Sequence, residues 1–337
     1  MRAAVNRPSH PGRFDLTQLH VVRPIFWCSL ICGLALLVVF TGLPGRPLIL
    51  HTLQKLAHPC VFGLIALSVL VLQSQRSHSR TGAASQYLIA LLTAILIGAL
   101  TEAAQTLTHR DPAWRDVGLD MRGALCALAM AAACDARTQA GASGVRRRGA
   151  YLLIALSLLG FILTPLSITL AGYTNRSVRF PVLFIADRAI DLLLVSTAGV
   201  PTSRLIVPVP YATHPHEWAV LVPFNVHTIA GVSLDEPSPD WHHYQQLVLD
   251  LTNPNPVDIE LTLRIHDHTK NTDDRDRFTA RVSLAAEQRH TVVFDLEAIR
   301  HGPTDRLLDL SHIAGLSLVR ADQVNAREFW LNRVSLR

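Results

Sequence analysis

A chain of 337 residues is long enough for two or more domains, and a net charge of +5 would suit a polyanion-binding surface if the charge were spread evenly. It is not. Residues 1–172 hold 15 Lys and Arg against 6 Asp and Glu, residues 173–337 hold 16 against 20, and the positive excess lies in short loops between apolar runs. With no RNP-like motif, no zinc-finger spacing and no basic tract longer than Arg146-Arg147-Arg148, nucleic acid is excluded as a partner.

Residues 1–23 read as a cytoplasmic tail. Five apolar runs follow, at about 24–41, 56–72, 87–105, 117–134 and 151–171. A helix needs about 20 residues to cross the hydrocarbon, and in lipid the backbone must satisfy itself, so each run predicts a transmembrane helix. The second is short alone, and Thr52 to Lys55 completes it. The first has basic flanks but no Ala-x-Ala-like cleavage site after it, which makes it a retained helix. All five cysteines, Cys28, Cys32, Cys60, Cys126 and Cys134, fall in this half, so the second half must be held by its own core without disulfides.

The loops set the orientation. Arg2, Arg7, Arg13, Arg23, Arg76, Arg80, Arg137 and Arg146 to Arg148 lie on one side, against Arg46, Lys55, Arg110 and Arg115 on the other. That imbalance places the N-terminus in the cytoplasm and, after five crossings, residues 178–337 outside. The expected division is a four-helix membrane domain over 24–135, a basic cytoplasmic loop over 136–150, a fifth helix over 151–171 and an extracytoplasmic domain over 178–337. The location is the bacterial cytoplasmic (inner) membrane.

From residue 178 short runs rich in branched residues recur between turn signals: Val182–Ile185, Asp191–Ser196, Arg204–Val209, Trp218–Pro223, Thr228–Leu234, Gln246–Leu251, Ile259–Ile265, Phe278–Leu284, Thr291–Leu296, Ile313–Val319 and Phe329–Leu336. Ile259, Leu261, Leu263 and Ile265 alternate with polar residues, which gives one core face and one wet face. Asn253-Pro254-Asn255-Pro256 is a turn. The fold class is therefore a polytopic α-helical membrane domain followed by an all-β sandwich of jelly-roll type.

The functional signal lies where the topology gathers helix ends at the outer face. Lys55 and His58 begin the second crossing, three residues apart on one helical face, and Glu102 and Gln105 end the third with the same spacing. Arg110, Arg115 and Asp116 lie in the next loop, and Asp116, Asp120 and Gly123 follow the helical period into the fourth helix. Charge in lipid is costly, so such groups face a protein interior or a wet cavity. They form either a substrate site or structural pairs, with Glu102 countered by Lys55 or Arg110. In a site, Glu102 is the acid/base candidate, His58 a proton carrier or phosphate ligand, and Lys55 and Arg110 clamps on an anionic head group, with Gln105, Asp116 and Asp120 beside them. A metal held by His58, Glu102 and Asp116 is conceivable, but nothing in the spacing makes them meet at one ion, so neither metal nor cofactor is assigned.

Lys55-x-x-His58, Glu102-x-x-Gln105, Arg110 and Asp116-x-x-x-Asp120-x-x-Gly123 together resemble the signature of VanZ-like membrane proteins, over roughly residues 20–135. The family is named for a teicoplanin-resistance factor. The pattern departs at Asp120, where the family usually has Asn, at Gln54 before the Lys, and at Pro59 after the His. The resemblance implies an envelope or antibiotic-resistance-like role and names no reaction.

In the second half, Trp241 to Asn253, Leu263 to Asp267 and Asp276-Arg277-Phe278 are similar to galactose-binding-like jelly-roll domains, including carbohydrate-binding modules, over roughly residues 225–337. That resemblance implies Trp241, Tyr244, His266, Asp267, Asp276 and Arg277 as glycan contacts. Read as residues alone, Trp241 and Tyr244 equally close the sandwich, and Asp276 with Arg277 equally forms an ion pair. No Gly-x-Ser-x-Gly elbow, Walker loop, dinucleotide fingerprint or Cys-His pair is present. The expected function is recognition of an anionic lipid, lipid-linked saccharide or glycan at the envelope, with membrane lipids or an envelope protein as partners. A membrane enzyme or transporter acting on a lipid-linked head group, or a protein-interaction scaffold, is the alternative.

Overall fold

The computed structural model describes residues 26–27, 29–33, 47–76, 82–105, 114–139, 143–197, 202–224, 231–237, 240–267, 274–320 and 326–337. The chain forms two compact units, Met1–Pro44 with His51–Pro165, and Gly45–Leu50 with Leu166–Arg337.

Four long helices are present among the described residues: α1 (Leu48–Arg76), α2 (Ala83–Gln105), α3 (Trp114–Cys134) and α4 (Gly144–Arg179). Each is long and apolar enough to cross a membrane. The run at 24–41 is described only at residues 26–27 and 29–33, which are helical, and its remainder lies outside the described residues. The run at 56–72 is completed upstream as expected, and further, to Leu48. The run at 151–171 sits inside a helix that starts in the basic loop and continues to Arg179.

The first unit packs Val61, Phe62, Ile65 and Val69 of α1 against Ala90 and Ala94 of α2 and Ala124 and Leu128 of α3. Small residues allow the backbones to approach. A Cβ on Gly123 would stand 2.0 Å from the Pro59 carbonyl oxygen, so α3 touches α1 backbone to backbone there. Pro59 itself has no N–H to return to the Lys55 carbonyl, and its place inside α1 is supported by this contact. At the other end of α2 and α3, Tyr87 donates to Asp135 at 3.2 Å, and Arg137 bonds both Asp135 at 2.8 Å and Gln86 at 2.9 Å. The Arg137 guanidinium holds the Asp135 carboxyl below its ordinary range, ahead of a smaller opposing effect of burial.

Among the described residues the second unit contains eleven strands: β1 (Val182–Ile185), β2 (Val195–Thr197), β3 (Ser203–Ile206), β4 (Trp218–Pro223), β5 (Gly231–Asp235), β6 (Gln246–Asn253), β7 (Ile259–Asp267), β8 (Phe278–Leu284), β9 (Gln288–Asp295), β10 (Ile313–Arg320) and β11 (Glu328–Leu336). They form two antiparallel sheets, ordered β3-β4-β11-β6-β9 and β2-β5-β10-β7-β8. Strand β1 joins the first sheet on the same edge of β11 as β4: β4 covers Glu328 to Leu331 and β1 covers Arg333 to Ser335. The alternation expected of Ile259 to Ile265 is observed, with Leu261, Leu263 and Ile265 wholly buried and Leu247, Leu249 and Leu251 of the other sheet in the same core.

The run Asp191–Ser196 is not one strand. Residues Ala189–Leu194 form a 3-10 turn, and only Val195–Thr197 pairs with β5. The reason is Asp191, whose carboxylate accepts from Asn175 and pairs with Arg179 at 3.2 Å, holding the segment against the end of α4. Arg176 in the same turn donates to the carbonyls of Asp235 and Glu236, and Tyr173 donates to the Glu236 carboxylate. The last turns of α4 are thus built into the sandwich unit.

The two asparagines of the Asn-Pro-Asn-Pro turn are buried. Asn253 donates to the Val257, Leu284 and Ala285 carbonyls at 2.9–3.1 Å, and Asn255 donates to the Glu328 carbonyl while accepting from the Arg327 N–H. Proline supplies the bend and asparagine satisfies the backbone that the bend leaves open.

Glu217 closes a further buried contact. Burial raises its carboxyl, but Thr213 N–H at 2.7 Å, Thr213 hydroxyl at 2.9 Å and Arg289 at 2.8 Å together outweigh that and hold it below its ordinary 4.5. A lowered folded-state value contributes stability above 4.5 that is lost as pH falls through the folded value. Glu217→Gln should therefore lower the denaturation midpoint at pH 7, with the gap to wild type narrowing at pH about 3. A gap of the same size at both pH values would assign the effect to packing instead.

Candidate functional site

The helical unit brings together His58 of α1, Glu102 of α2 and Asp120 of α3. One ligand atom from each lies within 4.8 Å of the other two. Each reaches the point for a reason local to its helix. His58 sits one turn beyond Lys55 on the face of α1 that turns inward, ahead of buried Phe62 and Ile65. Glu102 is in the last turn of α2. Asp120 is one turn into α3 beyond Asp116, where the helical period carries it inward. Glu102 is 4% exposed and Asp120 2%, whereas the His58 side chain retains 14%.

The His58 Nδ1 stands 3.6 Å from Asp120 Oδ1, an ion-pair distance and too long for a hydrogen bond. Among the described residues, neither oxygen of Asp120 has a hydrogen-bond partner. Gly98 of α2 leaves space beside it: a Cβ there would meet Asp120 Oδ2 at 3.4 Å and the Phe62 ring at 3.5 Å. Thr101, also buried, turns its hydroxyl back to the Gly98 carbonyl. The arrangement offers two carboxylates and an imidazole to a cation, to hydroxyl donors or to a shared proton.

The remaining expected residues divide. Asp116 is half-buried at the start of α3, and Lys55 is exposed on α1. The side chain of Gln105 and all of Arg110 lie outside the described residues. For the three-ligand grouping, Asp120 takes the place expected of Asp116, because it lies one turn deeper. The signal for this was the Asp116-x-x-x-Asp120 spacing, which cannot tell on its own which of the two is at the depth of Glu102.

In the sandwich the expected glycan contacts sit in different surroundings. Trp241 is 0% exposed in the core, its backbone N–H donating to the Leu310 carbonyl, so its ring faces are covered by protein and cannot stack on a sugar. Tyr244 packs edge-on against Phe180 with ring centroids 5.1 Å apart. His266 lies over Gly315 of the neighbouring strand, where a Cβ would come within 2.4 Å of its ring. Arg277 is half-buried before β8. Asp267 and Asp276 do meet, through a residue that the sequence did not single out. Arg306 bonds both Asp267 oxygens, one at 2.8 Å, together with the Asp276 carboxylate and the Asp276 carbonyl at 3.1 Å. These two carboxylates hold the fold at that edge, with Arg306 as a partner of Asp276 beside the Arg277 that the sequence offered.

Trp241→Ala is accordingly expected to destabilise the sandwich by about 3–5 kcal/mol. Thermal unfolding of the full chain in detergent checks this, and a variant as stable as wild type would mean that the ring is not a core element.

No family model and no curated relative matches the chain. Among solved structures, the chain is similar to a family 11 carbohydrate-binding module from Clostridium thermocellum in complex with a β-1,3-1,4-mixed-linked tetrasaccharide. That likeness has 15% identity and a TM-score of 0.34, and it covers 46% of this chain and 94% of that one. It is also similar to an exo-β-agarase, with 13% identity and a TM-score of 0.37 over 46% of this chain and 24% of the other. A third likeness, to PfGH50B, has 16% identity and a TM-score of 0.32 over 42% of this chain and 22% of that one. The chain therefore spans only about a quarter of the length of the last two. At such scores the sandwich rests on its own strand order and register.

Proposed function

We propose that the protein is a cell-envelope membrane protein with a polar site in its helical unit for the head group of a lipid-linked saccharide, and with the sandwich as an extracytoplasmic recognition domain. The observation that carries this reading is the convergence of His58, Glu102 and Asp120 from three helices at one buried point. Such groups are costly in an apolar bundle unless they meet a ligand or one another. Saccharide hydroxyls would donate to Glu102 and Asp120, and Lys55 and Arg110 would take the phosphate linking sugar to lipid.

Membrane insertion is supported by the surface of the helices. Leu88, Leu92, Leu96 and Leu100 form an exposed stripe at four-residue spacing on α2, at 54–60%, and Leu153, Leu156 and Phe161 of α4 are exposed at 59–72%. A stripe of that kind suits lipid and not water. The basic loops then favour a cytoplasmic N-terminus and an outward sandwich. The sandwich, with two antiparallel sheets, has an architecture suited to a glycan or an envelope protein, but its binding face is not the one around Trp241.

The test is binding of the purified full chain to vesicles carrying a lipid-linked saccharide, against vesicles of the same lipids without it. Glu102→Gln, nearly equal in volume, should reduce binding by about tenfold or more while insertion into the membrane fraction is unchanged. If Glu102→Gln instead prevents insertion, the cluster is structural pairing and the reading fails.

A further inference from the structure

We infer that His58, Glu102 and Asp120 form a binding site for one divalent first-row transition-metal ion. The inference rests on the head-group reading only for where the site lies, and it stands on its own geometry. Three elements of that geometry point the same way.

The donor set is the first. One imidazole and two carboxylates are the nitrogen and oxygen ligands that Zn²⁺ and its neighbours take, and three protein ligands leave further coordination positions open. Spacing is the second. Ligands at about 2.1 Å around a tetrahedral ion stand about 3.4 Å from each other, and His58 Nδ1 and Asp120 Oδ1 are already 3.6 Å apart. With all three ligand atoms within 4.8 Å of one another, closure asks for contractions of up to about 1.4 Å, a size that rotation of side chains supplies.

Burial and charge are the third. Asp120 is 98% removed from solvent, and neither of its oxygens has a hydrogen-bond partner among the described residues. A buried carboxylate without hydrogen bonds is tolerated where it is paired or coordinates a metal. His58 stands too far for a hydrogen bond, and its single positive charge, when protonated, offsets only one of the two carboxylate charges in the trio. A divalent ion balances both and leaves His58 as a neutral ligand. It also resolves a conflict in the site. Two buried carboxylates repel a phosphate or pyrophosphate, whereas an ion held by them with open positions attracts one. The small residue at Gly98, beside Asp120 Oδ2, keeps the place next to the carboxylate free of side chain.

The experiment uses the full chain purified in detergent, stripped with a chelator, and then titrated with Zn²⁺ for stoichiometry and with Co²⁺ for its visible spectrum. The expected result is one ion per chain, with Co²⁺ bands typical of nitrogen and oxygen ligation. Asp120→Asn and His58→Gln should each weaken binding by about tenfold or more. Because removing a buried charge can change folding, the variants are compared only where their size-exclusion profile and unfolding temperature without metal match wild type. Ion-dependent stabilisation of wild type, absent in Asp120→Asn, is the second readout. No stoichiometric ion in wild type, or an ion held equally by both variants, overturns the inference. Vesicle binding that is lost in Glu102→Gln while wild type takes up no stoichiometric ion overturns the metal and leaves the head-group reading standing. A bound ion with vesicle binding indifferent to Glu102 does the reverse.

Discussion

Gly123→Ala should leave no correctly folded helical unit. The added Cβ would lie 2.0 Å from the Pro59 carbonyl oxygen, 2.4 Å from the Pro59 Cα and 2.5 Å from its carbonyl carbon. All three are backbone atoms, so no side chain can rotate away, and α1 would have to move from α3 by more than an ångström. Overpacking in a close-packed interior costs about 1–3 kcal/mol even where side chains absorb it, and here the backbone must. Pro59 follows His58 directly, so the displacement carries the imidazole away from Glu102 and Asp120 as well. Gly63 provides the graded control. Its added Cβ would meet Ala127 Cβ and the Gly123 carbonyl oxygen, both at 3.2 Å, a contact that a shift of a few tenths of an ångström relieves. In detergent extracts, Gly63→Ala should give a monodisperse protein with a reduced unfolding temperature, and Gly123→Ala an aggregated one. A monodisperse Gly123→Ala with the wild-type unfolding temperature would mean that α1 and α3 do not touch at Pro59.

How much of this was legible depended on whether the cause was local. Apolar runs of membrane length and period-two alternation are local, so the four described helices and the strand-rich second half could be read directly. The Lys55-x-x-His58, Glu102-x-x-Gln105 and Asp116-x-x-x-Asp120 spacings are local too, and they named the residues that converge. Depth was not local: Asp116 and Asp120 differ by one turn, and only packing against Gly98 and Phe62 decides which one is inside. The same holds for Asp191, whose strand-like neighbours Leu192 to Val195 concealed a 3-10 turn set by Asn175 and Arg179. An aromatic residue carries no sign of its exposure, and so Trp241 read equally as platform and core. Arg306 was invisible because it follows Gly302-Pro303-Thr304-Asp305, a stretch with no periodicity, and its partners lie 30 and 39 residues away.

That clasp carries the second large effect, expected on replacing Arg306 by methionine. The Asp267 side chain is 6% exposed and accepts two bonds from Arg306 and one from the Asp309 N–H at 3.1 Å. Methionine keeps much of the volume and removes both guanidinium bonds to this buried carboxylate. Removing one member of a buried pair costs about 3–5 kcal/mol; Arg306 is itself one-third exposed, which puts the expectation at the lower end, about 3 kcal/mol. Asp276, at 20%, is wetter and contributes less. The charge and not the packing is at issue, so the deciding measurement is a double-mutant cycle with Asp267→Asn in chemical denaturation of the full chain. With the carboxylate neutralised, the penalty for losing the guanidinium should shrink by more than half, because no stranded charge remains. An equal loss from Arg306→Met in both backgrounds would place the contribution of Arg306 at the Asp276 carboxylate and carbonyl instead, and the clasp would then act by anchoring the start of β8 and not by neutralising Asp267.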